Sequence, residues 1–213
     1  MRLKKNSLKE CKLYLILDTD VCDYRRLLTV LKKAVHSGVD IVQLRDKRGQ
    51  ARDILEFSTA ALRITKHKVP YIVNDRIDLA LAGGADGVHM GQTDIPLSLA
   101  RILTGKKFII GASCQNWAQA VQAEREGADY IGFGSVFKTL TKPERDSMDL
   151  KVLKNVLHKI GIPVFPIGGI TSANVGRLTS LGAERIAVCR DICLAKDAAG
   201  AVRDIRRQLE RQI

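Results

Sequence analysis

Short apolar runs rich in Val and Ile recur along the chain, and a small group of polar residues follows each of them. At least six such runs occur about 20–30 residues apart, and segments with helical periodicity separate them. The runs with their polar residues lie at 41–47, 71–75, 87–94, 108–113, 130–142 and 164–169. This spacing is typical of repeated strand–helix units with parallel strands. Because the polar residues follow the runs, we expect them to gather at the carboxyl end of one sheet.

Eight strands and eight helices are predicted along the 213 residues. The predicted strands cover 13–18, 39–45, 70–74, 86–89, 108–111, 129–132, 163–167 and 185–189. The predicted helices cover 23–36, 50–66, 75–83, 96–104, 116–126, 149–158, 173–180 and 197–211. The alternation predicts an α/β fold, a single (β/α)₈ TIM barrel over 13–213, preceded by a basic N-terminal segment at 1–12.

An open doubly wound sheet is the alternative architecture. Its dinucleotide-binding form carries Gly-x-Gly-x-x-Gly after the first strand, where this chain has Asp18-Thr19-Asp20. The sequence therefore favours the barrel. A Gly-Val/Ala-Asp or Gly-Ala-Glu phrase also repeats before several strands, and its glycine is predicted to end the preceding helix with a positive φ. These glycines are Gly38, Gly84, Gly127 and Gly182.

Charge and composition narrow the classes of partner. The net charge is +12, but the basic pairs lie in separate helices and aromatic residues make up only 5%, so no base-stacking surface is indicated. No apolar stretch reaches the ~20 residues of a membrane span. Residues 1–12 lack the apolar centre of a secretory signal. We expect a cytoplasmic protein that binds phosphorylated small molecules, without nucleic acid or membrane, and a homo-oligomer is compatible with the sequence.

Three polar residues alternate at the end of the second predicted strand. Gln43, Arg45 and Lys47 would project to one side of an extended segment. Two cations and an amide pointing inward would be costly without an anion to meet them. The alternation therefore predicts an anion-binding site.

Two carboxylates end the next two units. Asp75 and Asp94 supply hard oxygen ligands, and two carboxylates with phosphate oxygens and water form a typical Mg²⁺ site. Each could instead cap a helix, Asp75 before Ile77 and Asp94 before Pro96. Their position beside the cationic residues favours a metal-bound diphosphate.

Two further segments carry groups suited to phosphate. The longest predicted loop holds Thr139, Thr141 and Lys142, which otherwise would form a solvated turn. After the seventh strand, Gly168-Gly169 permits close backbone approach before a helix, a position where many barrels bind phosphate. No Ser-His-Asp or Cys-His arrangement stands out, so the site is suited to anions rather than to hydrolysis.

These residues resemble the thiamine phosphate synthase family from about Leu13 to Arg207. The matching phrases are Val42-Gln43-Leu44-Arg45-Asp46-Lys47, Val73-Asn74-Asp75-Arg76, Gly87-Val88-His89-Met90-Gly91-Gln92-Thr93-Asp94, Ile110-Gly111-Ala112-Ser113, Thr139-Leu140-Thr141-Lys142 and Ile167-Gly168-Gly169-Ile170. The resemblance implies a (β/α)₈ transferase that joins hydroxymethylpyrimidine diphosphate to hydroxyethylthiazole phosphate. The implied products are thiamine phosphate and pyrophosphate, and Mg²⁺ is the implied cofactor.

The resemblance also implies roles for individual residues. The pyrimidine diphosphate would contact Gln43, Arg45, Lys47, Asn74, Ser113 and Lys142. The metal would bind Asp75 and Asp94, and the thiazole phosphate would face Thr139, Thr141, Gly169, Cys189 and Arg190. In the implied dissociative mechanism pyrophosphate leaves first, and the charge that it carries away would be neutralised by Mg²⁺ together with Arg45, Lys47 and Lys142.

One residue departs from the family pattern. Arg190 stands where the family usually has a small residue, commonly Ser. Its guanidinium could bind the thiazole phosphate in bidentate fashion, which we favour, or it could pair with Asp191 or Asp197. Two alternative functions are a thiazole tautomerase of the same superfamily, and a noncatalytic barrel that binds a phosphorylated ligand or nucleic acid. The set Asn74, Asp75, Asp94 and Lys142 argues against the tautomerase.

Overall fold

Eight parallel strands alternate with helices in the computed structural model, which describes residues 5–139 and 147–210. The strands are β1 (Leu13–Asp18), β2 (Ile41–Arg45), β3 (Tyr71–Asn74), β4 (Gly87–Met90), β5 (Ile109–Cys114), β6 (Tyr130–Phe133), β7 (Val164–Pro166) and β8 (Ile186–Val188). From β1 to β7 each strand pairs with the next one along the chain, and β8 pairs with β1. A parallel bridge between Ile167 and Ala187 joins the two ends of the sheet. The predicted (β/α)₈ barrel is confirmed.

Helices follow the strands around the outside of the barrel. They are α1 (Tyr24–His36), α2 (Ala51–Thr65), α3 (Ile77–Ala82), α4 (Leu97–Thr104), α5 (Trp117–Arg125), α6 (Leu150–Lys159), α7 (Val175–Thr179), α8 (Arg190–Cys193) and α9 (Ala198–Glu210). Within the described ranges, no helix is both long enough and apolar enough to cross a membrane. The four-residue helix α8 was not predicted, because a single turn is too short to show a helical period.

The strands are buried on both faces, which is why they appear as continuous apolar runs in the sequence. Outward residues such as Leu15 and Leu17 pack with the helices in one large core. Inward residues form a second cluster inside the barrel, with Tyr14, Tyr130 and Phe165 in edge-to-face contact at 5.4–5.7 Å. Toward the carboxyl ends of β1 and β2 the inward positions change to polar residues, including Asp18 and Gln43. The barrel interior is therefore apolar and packed toward the amino ends of the strands and polar at their carboxyl ends.

The N-terminal segment contacts the opposite end of the barrel. A 3-10 helix covers Lys5–Glu10, and Leu8 and Cys11 are buried against the interior cluster. The hydrophobic contact places this segment at the amino ends of the strands, away from the polar carboxyl ends.

The repeated Gly-x-Asp phrase has one structural role in three places. Each acid accepts a hydrogen bond from a backbone N–H at the start of the preceding strand: Asp40 from Leu13 at 2.8 Å, Asp86 from Tyr71 at 2.9 Å, and Asp129 from Ile110 at 2.8 Å. Each also contacts a basic side chain, namely Arg206, His67 and Arg101 respectively. The four predicted glycines have φ values of 69–100°, as expected for residues that end helices. The repeat therefore aligns strands at the amino end and carries no catalytic chemistry.

Candidate active site

A cavity of about 590 Å³ opens at the carboxyl ends of the strands. Eight of the thirteen predicted site residues line it: Gln43, Arg45, Asn74, Ser113, Thr139, Gly169, Cys189 and Arg190. They come from six different strands or the loops after them, because parallel strands present all their carboxyl ends at one face. Thr141 and Lys142 lie outside the described residues.

A chain of hydrogen-bonded side chains forms the floor of the cavity. Gln43 donates to the Tyr14 hydroxyl, which lies 2.7 Å from the Tyr130 hydroxyl. His89 then links Tyr130, at 3.1 Å from Nδ1, to Ser113, at 2.9 Å from Nε2. Burial raises the pKa of both tyrosines above the ordinary value, so their hydroxyls keep their protons. The floor therefore offers hydrogen bonds without adding negative charge.

Gly111 makes room for this chain. A Cβ at Gly111 would lie 2.1 Å from Cζ of Tyr130 and 2.6 Å from Nδ1 of His89. Tyr14, His89 and Tyr130 were not predicted as site residues. The period of two along β1 could have identified Tyr14, because Tyr14, Ile16 and Asp18 alternate along the strand and share its inward face.

Arg45 is held by carboxylates of the protein. Its Nη1 donates to both oxygens of Asp18, at 3.0 and 2.8 Å, and to Asp20 at 3.1 Å. Asp18 is fully buried at the end of β1, and burial raises its pKa while the charge of Arg45 lowers it. Buried and half-buried carboxylates of the protein already face Arg45, so this cation does not by itself require an external anion.

Lys47 also has a carboxylate partner. Its ammonium contacts Asp75 and it lies outside the residues that line the cavity, so it does not share the position of Gln43 and Arg45. Lys47 lies beyond the end of β2 at Arg45, where the strand alternation no longer applies, so its place in one site with Gln43 and Arg45 stays a prediction.

Asp75 and Asp94 lie side by side next to Gly91, where a Cβ would be 3.1 Å from Oδ2 of Asp94 and 4.0 Å from Oδ1 of Asp75. Burial and the neighbouring Asp75 raise the pKa of Asp94 above the ordinary value. Neither side chain caps a helix: α3 and α4 have Arg76 and Pro96 at their N-caps, without a side-chain hydrogen bond. Asp75 adopts a left-handed φ of 60°, a strained conformation that tends to occur at functional sites. Two adjacent carboxylates of this kind can hold a cation.

The loop after β7 forms another wall of the cavity. Gly168 and Gly169 have φ values of 106° and 62°, and a Cβ on Gly169 would lie 2.4 Å from the carbonyl oxygen of Lys138. The next backbone N–H groups already have partners: Thr171 donates to Asn174 at 2.8 Å and Ser172 donates to Asp191 at 3.0 Å. The expected phosphate cradle is therefore partly occupied by side chains of the protein.

Arg190 begins α8 and lines the same wall. Asp191 accepts from Ser172, and Asp197 pairs with Arg203, so neither acid is the partner of Arg190. Among residues 5–139 and 147–210, the Arg190 guanidinium has no ion pair. Beside it, hydrogen bonding to Cys193 and burial raise the pKa of Cys189 well above the ordinary value, so this thiol is neutral. All five cysteines are free thiols.

Comparisons with known proteins find matches over most of the chain. A family model described as thiamine monophosphate synthase matches residues 13–192, which include all eight strands. The chain is 42% identical over 198 residues to the thiamine-phosphate synthase of Clostridium acetobutylicum, covering 91% of this chain and 94% of that one. It is 38% identical over 199 residues to the thiamine-phosphate synthase of Fusobacterium nucleatum, covering 93% and 97%.

A solved structure matches over nearly the whole chain. The thiamine phosphate pyrophosphorylase from Pyrococcus furiosus superposes with a TM-score of 0.87 at 32% identity, covering 96% of this chain and 98% of that one. The family model, the sequence relatives and the solved structure all extend over the strands and loops that carry the cavity. This chain belongs to the thiamine monophosphate synthase family.

Proposed function

We propose that the protein condenses 4-amino-5-hydroxymethyl-2-methylpyrimidine diphosphate with hydroxyethylthiazole phosphate, giving thiamine phosphate and pyrophosphate, and that it acts on these free small molecules in the cytoplasm. The observation that carries the proposal is a single cavity with two separate groups for anions. Arg45 lies on one side of β1, near Lys47 and the two carboxylates. Arg190 and the glycine pair lie on the other side. Two phosphorylated substrates require such a division.

The pyrimidine diphosphate would bind along β2, β3 and β5. Its contacts in the described residues would be Gln43, Arg45, Lys47, Asn74 and Ser113, with Lys142 from the loop after β6. Asn74 supports this placement, since its Nδ2 is buried and has no hydrogen-bond partner in the described part of the chain. Buried donors are nearly always paired, so a ligand acceptor at this position would remove an unfavourable energy.

The thiazole phosphate would bind against the loops after β6, β7 and β8. Its contacts would be Thr139, Thr141, Gly169, Cys189 and Arg190, including the backbone at 189 and 190. The absence of an ion pair at Arg190 within the described ranges supports this assignment, because a half-buried guanidinium lacking a counter-charge is stabilised by binding an anion.

Mg²⁺ fits the pair Asp75 and Asp94. Both are hard oxygen donors, and the raised pKa of Asp94 reflects burial and a like charge, which a cation would relieve. The described residues contain no group of three or more metal-ligating side chains. Diphosphate oxygens and water would complete the coordination, as is usual for Mg²⁺. When bound, the ion would supply positive charge to the leaving pyrophosphate.

The remaining chemistry requires few proton transfers from the protein. In a dissociative path, the C–O bond to the diphosphate breaks and its electron pair leaves with pyrophosphate. The thiazole nitrogen then donates its lone pair to the pyrimidine methylene cation. Arg45 and Lys47 would stabilise charge on the leaving group, the interaction that contributes most to such reactions. The protonated hydroxyls of Tyr14 and Tyr130 would keep the floor neutral and hold Gln43 in place.

The test is to incubate the protein with both substrates and Mg²⁺, with and without EDTA, and to measure thiamine phosphate. Product is expected only when both substrates and Mg²⁺ are present. Absence of product with Mg²⁺ would overturn the proposal. Isomerisation of a thiazole phosphate without the pyrimidine substrate would instead support the tautomerase.

A further inference from the structure

The last residue of β1, Asp18, is the deepest charged group at the cavity. Its side chain is 0% exposed, and it lies directly opposite Arg45 in the register of β1 and β2. Asp18 also accepts a hydrogen bond from the backbone N–H of Asp20 at 3.0 Å. A carboxylate at this depth is costly unless it is paired. Arg45 supplies that pairing, and the two residues therefore depend on each other.

Within the described ranges, all the side-chain hydrogen bonds of Arg45 come from one of its three guanidinium nitrogens. Both oxygens of Asp18 and one of Asp20 accept from Nη1. Nε and Nη2 have no acceptor among the described residues, although Arg45 is only 13% exposed and lines the cavity. Nε and Nη2 form the edge of a guanidinium that matches two oxygens of a phosphate. The protein thus binds the guanidinium through Nη1 and leaves the Nε and Nη2 edge available for a ligand.

We propose that Asp18 is a positioning residue for the diphosphate: it fixes the rotamer of Arg45 so that the Nε and Nη2 edge is presented to the substrate. This inference rests on the proposed function. The physical reason is preorganisation, because a long side chain that is already immobile loses less entropy when it binds. Asp18 itself does not contact the substrate. Asp20 has a minor part, since its half-exposed carboxylate contacts the same Nη1 from the solvent side.

Electrostatics alone predicts the opposite effect, which makes the proposal testable. Removing a negative charge near a diphosphate site would strengthen binding if repulsion dominated. Removing the group that orients Arg45 would weaken it. The sign of the change in affinity for inorganic pyrophosphate therefore separates the two accounts.

The experiment measures pyrophosphate binding by calorimetry in the presence of Mg²⁺, and KM for each substrate. Asp18→Asn should weaken pyrophosphate binding about tenfold, the size of one charge-assisted hydrogen bond. KM for the pyrimidine diphosphate should rise similarly, while KM for the thiazole phosphate stays within about twofold. Asp23→Asn is the matched control, because it removes one negative charge from the same loop and Asn caps α1 equally well.

A double-mutant cycle tests whether Asp18 acts through Arg45. In an Arg45→Lys background, which lacks the guanidinium edge, adding Asp18→Asn should change pyrophosphate affinity less than about twofold. Equal or tighter binding in Asp18→Asn, or a full additional loss in the Arg45→Lys background, would overturn the inference. If wild-type protein does not bind pyrophosphate with Mg²⁺, the proposed function fails instead. Should Asp18→Asn not fold, Asp18→Glu keeps the charge but displaces the carboxylate, and unchanged pyrophosphate affinity in it would also overturn the inference.

Discussion

Replacing Arg190 by Ser tests the proposed contact between its guanidinium and the thiazole phosphate. No ion pair in the described chain is lost with Arg190, so the free energy of unfolding should change by less than about 0.5 kcal/mol. Its proposed contact with the thiazole phosphate is charge-assisted, and such hydrogen bonds contribute about 1.5–3 kcal/mol. At 1.4 kcal/mol per tenfold, KM for the thiazole phosphate should rise about 10–100-fold.

The assay is steady-state kinetics with the thiazole phosphate varied at saturating pyrimidine diphosphate and Mg²⁺. The net charge of +12 attracts any anionic substrate, so loss of one charge has a general effect that must be subtracted. Arg203→Ser is the matched control, because Arg203 is exposed, pairs with Asp197, and is not among the residues that line the cavity. Its KM for the thiazole phosphate should stay close to that of the wild type.

Comparing the change in KM for the thiazole phosphate with the change in KM for the pyrimidine diphosphate decides the result. A selective rise in KM for the thiazole phosphate is expected, with kcat nearly unchanged because the contact is made in both ground and transition states. If Arg190→Ser and Arg203→Ser have the same KM within about twofold, the guanidinium does not bind the phosphate. An equal rise in KM for both substrates would place Arg190 at neither specific site.

Two further predictions concern stability. Asp129→Ala leaves the buried N–H of Ile110 unpaired and Arg101 without its carboxylate, and should cost about 2–4 kcal/mol, whereas Asp78→Ala breaks only an exposed ion pair and should change the thermal midpoint little. The pKa of Asp94 is raised in the folded protein, so its ionisation lowers the stability of the fold as pH rises through that pKa. Asp94→Asn should abolish this loss of stability in thermal scans without metal. The same variant should also weaken the stabilisation that Mg²⁺ with pyrophosphate gives. Equal midpoints for the two alanine variants, or an unchanged pH profile in Asp94→Asn, would contradict these assignments.

The order of the strands and the face that carries the site could be predicted because they follow from local pattern. Parallel strands buried on both faces must be apolar throughout, so each strand was visible as a run. Every predicted strand is present, with ends displaced by at most three residues. The short helix α8 was missed, since one turn has no period to detect. The glycines that end helices could be predicted because a positive φ is required at that position and glycine adopts it readily.

The candidate site was predicted in outline but not in its internal pairing. Gln43, Arg45 and Asn74 line the cavity as expected. Asp18 was noted in the sequence only as evidence against a dinucleotide motif, although it proves to be the buried partner of Arg45. Tyr14 and Tyr130 are separated by 116 residues and meet only inside the barrel. Such contacts depend on barrel closure, which brings β1 beside both β2 and β8.

The sequence by itself therefore determined the repeating unit, the end of the barrel that is polar, and eight of the residues that line the cavity. These properties depend on the periodicity of burial, which each segment carries independently of the others. Only the tertiary structure decided which charged side chains form ion pairs. Arg45 pairs with Asp18 and Lys47 pairs with Asp75, whereas Arg190 has no carboxylate partner in the described ranges. The energy of a charge in a protein depends on the distance and burial of its partners, and those are set by the packing of strands far apart in sequence.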